Sequence, residues 1–327
     1  MEQTKKPARF VLAWILLLLT ITITLNSACT PSTSTDSVAT ADGEISQTGE
    51  VEIPTVNQET PVPPVIGPTN PTDPSVPAGY YSDQVKSIAS SSTCAGYSWA
   101  SRGKAPAGYI KGMALTYARS YCRLKTTEAA PTALVNILSG SAASSTTDAL
   151  ALYASTFSSL SMDVNTAGVG PLRSLYTLGI GLGMRESSGK YCEGRDMSAS
   201  NTSANTAEAG MFQTSYDSVG ASPELSKLYA EYKASPNNCF LDTFKENISC
   251  GSSSIAGSGI GAEYQAFNKS CPAFAAEYAM VMLRVRRNHY GPINRKEAEV
   301  TSSCNQMLKS VETFIDNDLN ACADLML

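Results

Sequence analysis

Eight cysteines, at positions 94, 122, 192, 239, 250, 271, 304 and 322, constrain the folding of this 327-residue chain more than any other feature. None forms a CxxC pair, which argues against a zinc ribbon or a thioredoxin-like redox motif. An even set of this size suits four disulfides in an oxidising compartment, so Cys94, Cys122, Cys192, Cys239, Cys250, Cys271, Cys304 and Cys322 are expected to staple one domain. Spacing alone leaves about 105 connectivities open. A ninth cysteine, Cys29, stands far upstream of the others. The single histidine, His289, makes a multi-histidine metal centre improbable, and neither a metal nor an organic cofactor is expected.

The N-terminus explains the odd count. Lys5, Lys6 and Arg9 precede an uncharged apolar run from Phe10 to Leu25, and the small residues Ser27 and Ala28 then lead into Cys29. This is the pattern of a secretory signal, expected over residues 1–28, with an uncleaved membrane anchor as the rival reading. The LNSAC sequence resembles a bacterial lipobox, with Asn26 where an aliphatic residue is usual. That resemblance implies lipidation of Cys29 and an exported protein, anchored to the bacterial membrane or released to the periplasm. Residues 29–78 hold nine of the 17 prolines and, past Cys29, seven acidic residues with no basic partner and no aromatic residue. Such a segment cannot bury enough apolar surface to fold, and reads as a disordered Pro/Ser/Thr-rich tether.

Three of the 24 basic residues and eight of the 29 acidic ones lie upstream of residue 79, so residues 79–327 carry 21 of each. A neutral domain gives no electrostatic footprint for nucleic acid, and a monomer is expected. Apolar residues recur at helical spacing almost throughout. One face of a helix near 108–124 carries Ile110, Met113, Tyr117, Tyr121 and Leu124, and Asp148 precedes Leu150, Tyr153, Phe157 and Leu160. Pro171 opens an apolar helix running to Arg185, Ser222-Pro223 is a cap and first turn, Pro272 starts another helix, and Val300 to Ile315 marks a long C-terminal one. No alternating run of useful length predicts a strand. The expected class is mainly α.

The segment LYTLGIGLGMRESSGKYCEGRD, residues 175–196, carries the chemistry. Its helix is apolar nearly all round, which places it in the middle of a domain. It ends at Glu186, where Ser187-Ser188-Gly189 supplies a stop and Gly189 suits a left-handed cap. The negative helix end and the apolar flanks both disfavour a carboxylate, raising its pKa toward that of a general acid at neutral pH. The competing reading has Glu186 exposed on the last turn, or paired with Arg185 or Arg195.

Glu186-Ser187-Ser188 after an apolar helix, then Gly210-Met211-Phe212-Gln213 and Ala262-Glu263-Tyr264-Gln265, resembles the ordered motifs of the lysozyme-like superfamily of goose-type lysozymes and soluble lytic transglycosylases. The second motif has Met-Phe where Leu-Met is usual, and the third has Gln in place of Asn. The resemblance covers roughly 170–290 and implies a lysozyme-like helical domain with a cleft. It further implies cleavage of β-1,4 bonds in peptidoglycan or a related amino-sugar polymer, with Glu186 as general acid and Ser188, Gln213 and Tyr264 as substrate-binding residues. Asp196 and Glu208 are candidate second carboxylates, with Glu193 a third option. The departures at Met211-Phe212 and Gln265 fall where substrate contacts are expected. They leave open a deacetylated or chitosan-like polymer, and a wall-binding lipoprotein without turnover is a further alternative.

Three features invite over-reading. Gly257 to Gly261 lacks the strand and lysine of a phosphate loop and reads as a cleft rim. Arg284, Arg286, Arg287 and His289 cluster at a helix end, where dipole compensation is the simplest account and a subsite for acidic stem peptides the second. Trp99 and Tyr97, Tyr109, Tyr117 and Tyr121 offer sugar-stacking faces, but their helical spacing assigns most of them to the core.

Overall fold

A computed structural model describes residues 77–195, 203–251, 254–318 and 320–326. The signal-like segment, Cys29, nearly all of the tether and Asp196 lie outside the described residues. Helices dominate in the order α1 Tyr80–Ser91, α2 Ala107–Thr126, α3 Ala133–Ser139, α4 Ala149–Leu152, α5 Ala154–Ser159, α6 Val169–Ser187, α7 Pro223–Ala234, α8 Leu241–Phe244, α9 Ile260–Ser270, α10 Pro272–Val285, α11 Gly291–Asn294, α12 Ser302–Asn317 and α13 Ala321–Leu325. A two-stranded hairpin, β1 Ser98–Trp99 and β2 Gly103–Lys104, is too short to leave an alternating signature in the sequence.

Local chemistry accounts for the boundaries. Ser222 caps α7 through its side chain, accepting from the Glu224 amide, with Pro223 at the first helical position. Thr301 does the same for α12 and Asp148 for α4. The single helix expected from Leu150 to Leu160 is two pieces, broken at Tyr153, whose ψ of 9° leaves the helical range. The helix expected to open at Pro171 starts two residues earlier, at Val169.

Helix α6 is the centre of the domain and packs on α2, α3, α10 and α12. Its three glycines are sites of close approach. A Cβ on Gly179 would overlap the tip of Met280, on Gly181 the backbone carbonyl of Glu299, and on Gly183 the Tyr109 hydroxyl. A flexible methionine can move and a backbone carbonyl cannot. Gly181→Ala is therefore expected to lose roughly 2 kcal/mol, against the ~1 kcal/mol that alanine gains in a helix, while Gly179→Ala stays within about 1 kcal/mol of the parent. Urea unfolding of the two variants checks this order, and equal losses would contradict it.

The cysteines pair as Cys94–Cys304, Cys122–Cys322, Cys192–Cys250 and Cys239–Cys271. The first two tie the N-terminal helices to α12 and α13. The third tethers the segment that follows α6. The aromatic residues weighed as sugar platforms are core, with Trp99 and Tyr121 each 2% exposed and Tyr109 and Tyr117 fully buried; only Tyr97 is partly open. Arg284 and Arg287 also have structural work. Arg284 pairs with Asp148 and donates to the carbonyls of Gly140 and Ser141, and Arg287 donates to the Ser145 carbonyl. Both pin the 140–148 loop, a sharper role than dipole compensation.

Candidate active site

The last turn of α6 places Glu186. The chain leaves the helix through two successive left-handed residues, Ser188 at φ 56° and Gly189 at φ 74°, whose amides return to Met184 O and Gly183 O at 3.0 and 3.1 Å. Glycine is required at 189 for a second reason: a Cβ there would stand 2.7 Å from the Tyr109 ring. This double turn swings the chain away at once and leaves Glu186 half-buried at the helix end. Burial pushes its carboxyl up to about 7, and the Glu208 carboxylate adds to the rise. Arg295, Arg102 and Arg185 oppose it without reversing it.

Glu208 reaches this position on a tight turn. Ala209 and Thr214 form a β-bridge, and between them Gly210 at φ 76° and Gln213 at φ 48° reverse the chain. Met211 and Phe212, at the tip of the turn, are fully buried, with Phe212 lying against Gly183 of α6. The turn is thus anchored to the same helix that carries Glu186, and it holds a second carboxylate within electrostatic reach of the first. Of the candidate second carboxylates, Glu208 acts on Glu186, Glu193 acts instead on Lys269, and Asp196 lies outside the described residues.

Three expected substrate contacts need correction. Tyr264 is fully buried among Tyr216, Tyr229, Phe274 and Tyr278, and its hydroxyl meets Thr214 Oγ1 at 2.9 Å, so it supports the turn from below and cannot touch a sugar. Gln213 is 9% exposed, and its side-chain nitrogen donates to the carbonyls of Gly194 and Gly210 at 3.1 and 2.8 Å, bracing the segment after α6 against the turn. Met211, Phe212 and Gln265 do not line a binding surface either. Gln265 is fully buried and ties the carbonyls of Ala204, Ala256 and Gly261 together. Ser188 remains partly open beside Glu186.

The structure adds residues that sequence reasoning missed. Tyr290, 1% exposed, feels both Glu186 and Glu208, and its hydroxyl has no hydrogen-bond partner among the described residues. A tyrosine in a chain with 15 of them carries no pattern that could have singled it out. His289 packs edge-on against Tyr290, with its Nε2 3.4 Å from the Gln213 carbonyl, and burial holds its pKa below the usual value. Arg185 and Arg295 share Glu297, at 3.0 and 2.8 Å, which drops the Glu297 carboxyl to about 2. Arg102 reaches across from the β1–β2 hairpin to the Arg185 carbonyl.

A cavity of about 480 Å³ opens elsewhere, lined by Arg123, Leu134, Val135, Lys227, Glu231 and Met326 among others. Its cations are already matched, Arg123 to Glu231 and Glu277, and Lys227 to Glu224. It presents a ligand with less chemistry than the Glu186 site. Among the described residues no cluster of His, Cys, Asp and Glu could hold a metal ion, and no helix is long and apolar enough to cross a membrane. Comparisons with protein-family models, curated proteins and solved structures return no match.

Proposed function

We propose that the protein cleaves β-1,4 glycosidic bonds in peptidoglycan glycan strands, with a lysozyme-like helical domain carried on a tether from an exported, lipid-anchored N-terminus at Cys29. The observation that carries this reading is Glu186: a half-buried carboxyl, protonated up to about pH 7, at the end of a core helix and within electrostatic reach of a second carboxylate, Glu208. A carboxyl held protonated near neutral pH with a second carboxyl group close by is what glycoside hydrolysis requires. The order of the three motifs around Glu186, Gln213 and Tyr264 supports the same class.

In this mechanism the Glu186 proton passes to the glycosidic oxygen as the C1–O bond breaks and positive charge grows on the sugar ring. Glu208 stabilises that charge and takes the proton of the water that adds to C1. The Tyr290 hydroxyl, buried beside both carboxylates, acts on the sugar only through them, by setting the electrostatics of Glu186 and Glu208. Ser188 lies at the sugar-facing edge, while Gln213 and Tyr264 act only by holding the Glu208 turn in place.

A transglycosylase outcome, in which the sugar's own 6-hydroxyl closes an anhydro ring, needs no base from Glu208. Mass analysis of purified peptidoglycan digested by the parent and by Glu208→Gln separates the two. Hydrolysis gives reducing ends, and the variant should lose about 10²-fold in rate or more. Anhydro ends, lighter by one water, with Glu208→Gln nearly as active, would assign the transglycosylase reaction. Products from deacetylated peptidoglycan or chitosan alone would move the substrate class. No product from any of these polymers would leave a wall-binding protein without turnover.

A further inference from the structure

We propose that Arg102 reads a carboxylate substituent on the glycan, so that the Glu186 site selects acidic strands over neutral ones; this rests on the glycan-cleaving reading above. The argument begins with how Arg102 is held. It sits in the turn of the β1–β2 hairpin between Ser101 at φ 59° and Gly103 at φ 72°, and its amide donates to the Trp99 carbonyl at 3.0 Å. The hairpin is fixed to the domain at three points. Trp99 is buried, the Ala100 amide donates to Glu299 Oε1 at 2.7 Å, and the Tyr97 hydroxyl donates to Glu299 Oε2 at 3.0 Å. The arginine is therefore positioned before any ligand arrives, which lowers the cost of ordering it on binding.

Its guanidinium spans the candidate acid. Nη2 donates to the carbonyl of Arg185, immediately before Glu186, at 2.5 Å, and Nη1 lies 3.5 Å from Ser188 Oγ, two residues after it. Both acceptors are neutral. The neighbouring cations are different: Arg185 and Arg295 share the carboxylate of Glu297. Among the described residues no carboxylate lies within ion-pair distance of Arg102, and its side chain is exposed at the rim of the site. A planar fork with N–H groups to spare, a fixed position and no ion pair among the described residues matches a carboxylate, which it can engage through two parallel hydrogen bonds. The carboxylates that peptide substituents place along a peptidoglycan strand are of this chemistry.

The test is equilibrium co-sedimentation with insoluble peptidoglycan, native or with its carboxylates converted to amides. The parent protein should bind the amidated polymer about tenfold more weakly, the loss of one charge-assisted contact. Arg102→Gln should bind native polymer about tenfold more weakly than the parent and match it on the amidated one. Arg102→Lys, which keeps the charge but loses the fork, should fall between the parent and Arg102→Gln on native polymer. Matching thermal unfolding of the three proteins controls for folding. Equal binding of parent and Arg102→Gln to native polymer, or an equal loss on both polymers, overturns the proposal. Each of the three proteins carries Glu186→Gln in addition, so binding is read without cleavage of the polymer. Failure of Glu186-dependent cleavage would therefore sink the enzymatic reading separately, and an unchanged polymer preference would sink this one alone.

Discussion

Glu186→Gln is expected to lower glycan cleavage by about 10³-fold while making the folded protein more stable at alkaline pH. The two effects share one cause. The parent carboxyl rises from an ordinary 4.5 to about 7 on folding, so between those values the native protein holds a proton that the unfolded chain has released. Stability is then highest below pH 4.5, falls as pH rises toward 7, and stays at the lower level beyond. The full difference is about 3.5 kcal/mol at about 1.4 kcal/mol per unit, and partial exposure at the helix end brings it nearer 2. Glutamine keeps the shape, cannot ionise and cannot donate an acid proton. The variant and the parent should melt together at pH 4, and the variant should melt higher at pH 8. Activity of the parent should fall through an alkaline limb near pH 7, because only the protonated acid works. Parallel melting curves across this range would remove the basis for calling Glu186 an acid, and full activity in the variant would exclude it from the reaction.

The second large effect concerns the framework. Cys122–Cys322 and Cys94–Cys304 span 200 and 210 residues of sequence and are buried. Loops of that length restrict the unfolded chain by about 5 kcal/mol each in the chain-entropy account, most of the stability a domain of this size possesses. Cys122→Ser with Cys322→Ser should therefore leave a protein that is unfolded or nearly so at 37 °C. Cys192–Cys250 closes a span of 58 residues, with Cys250 exposed and Cys192 half-buried. Its removal should cost about 1 kcal/mol less by the same account, and native-state reduction by a small dithiol should open it first. Urea unfolding of the two double variants and thiol mapping by mass spectrometry measure both orders. A Cys192/Cys250 variant less stable than the Cys122/Cys322 one would overturn them.

The bridge that opens first lies next to the site. Cys192 holds the segment after α6, whose Glu193 and Gly194 carbonyls accept hydrogen bonds from the Glu208 turn. Loss of this bridge should thus reach activity before it reaches global stability, whereas loss of the two long bridges removes both together.

Much of this was legible in the amino acids alone. The helical class, the Ser222-Pro223 and Pro272 starts, the even set of eight cysteines and the buried helix ending at Glu186 follow from patterns within one or two turns of chain. So does the rise in the Glu186 pKa, because apolar neighbours in sequence on a core helix are also its neighbours in space. What the sequence left open is whatever depends on which faces meet. Four pairings emerged from 105 only in the folded chain: two where the chain around α1 and α2 meets α12 and α13, and two where residues 192 and 239 meet 250 and 271. Glu208 became the partner carboxylate because Phe212 buries its turn against Gly183, and Asp196 and Glu193 had equally plausible offsets in the chain. Tyr264, Gln213 and Gln265 looked like ligand contacts by type and order, yet burial turned them into supports. Tyr290 and Arg102, about a hundred residues from Glu186 in either direction, join it only through the fold. Local periodicity encodes which side of a helix avoids water. The approach of distant carboxylates, hydroxyls and guanidiniums is decided by packing the whole core, and that is where the chemistry of this site was assembled.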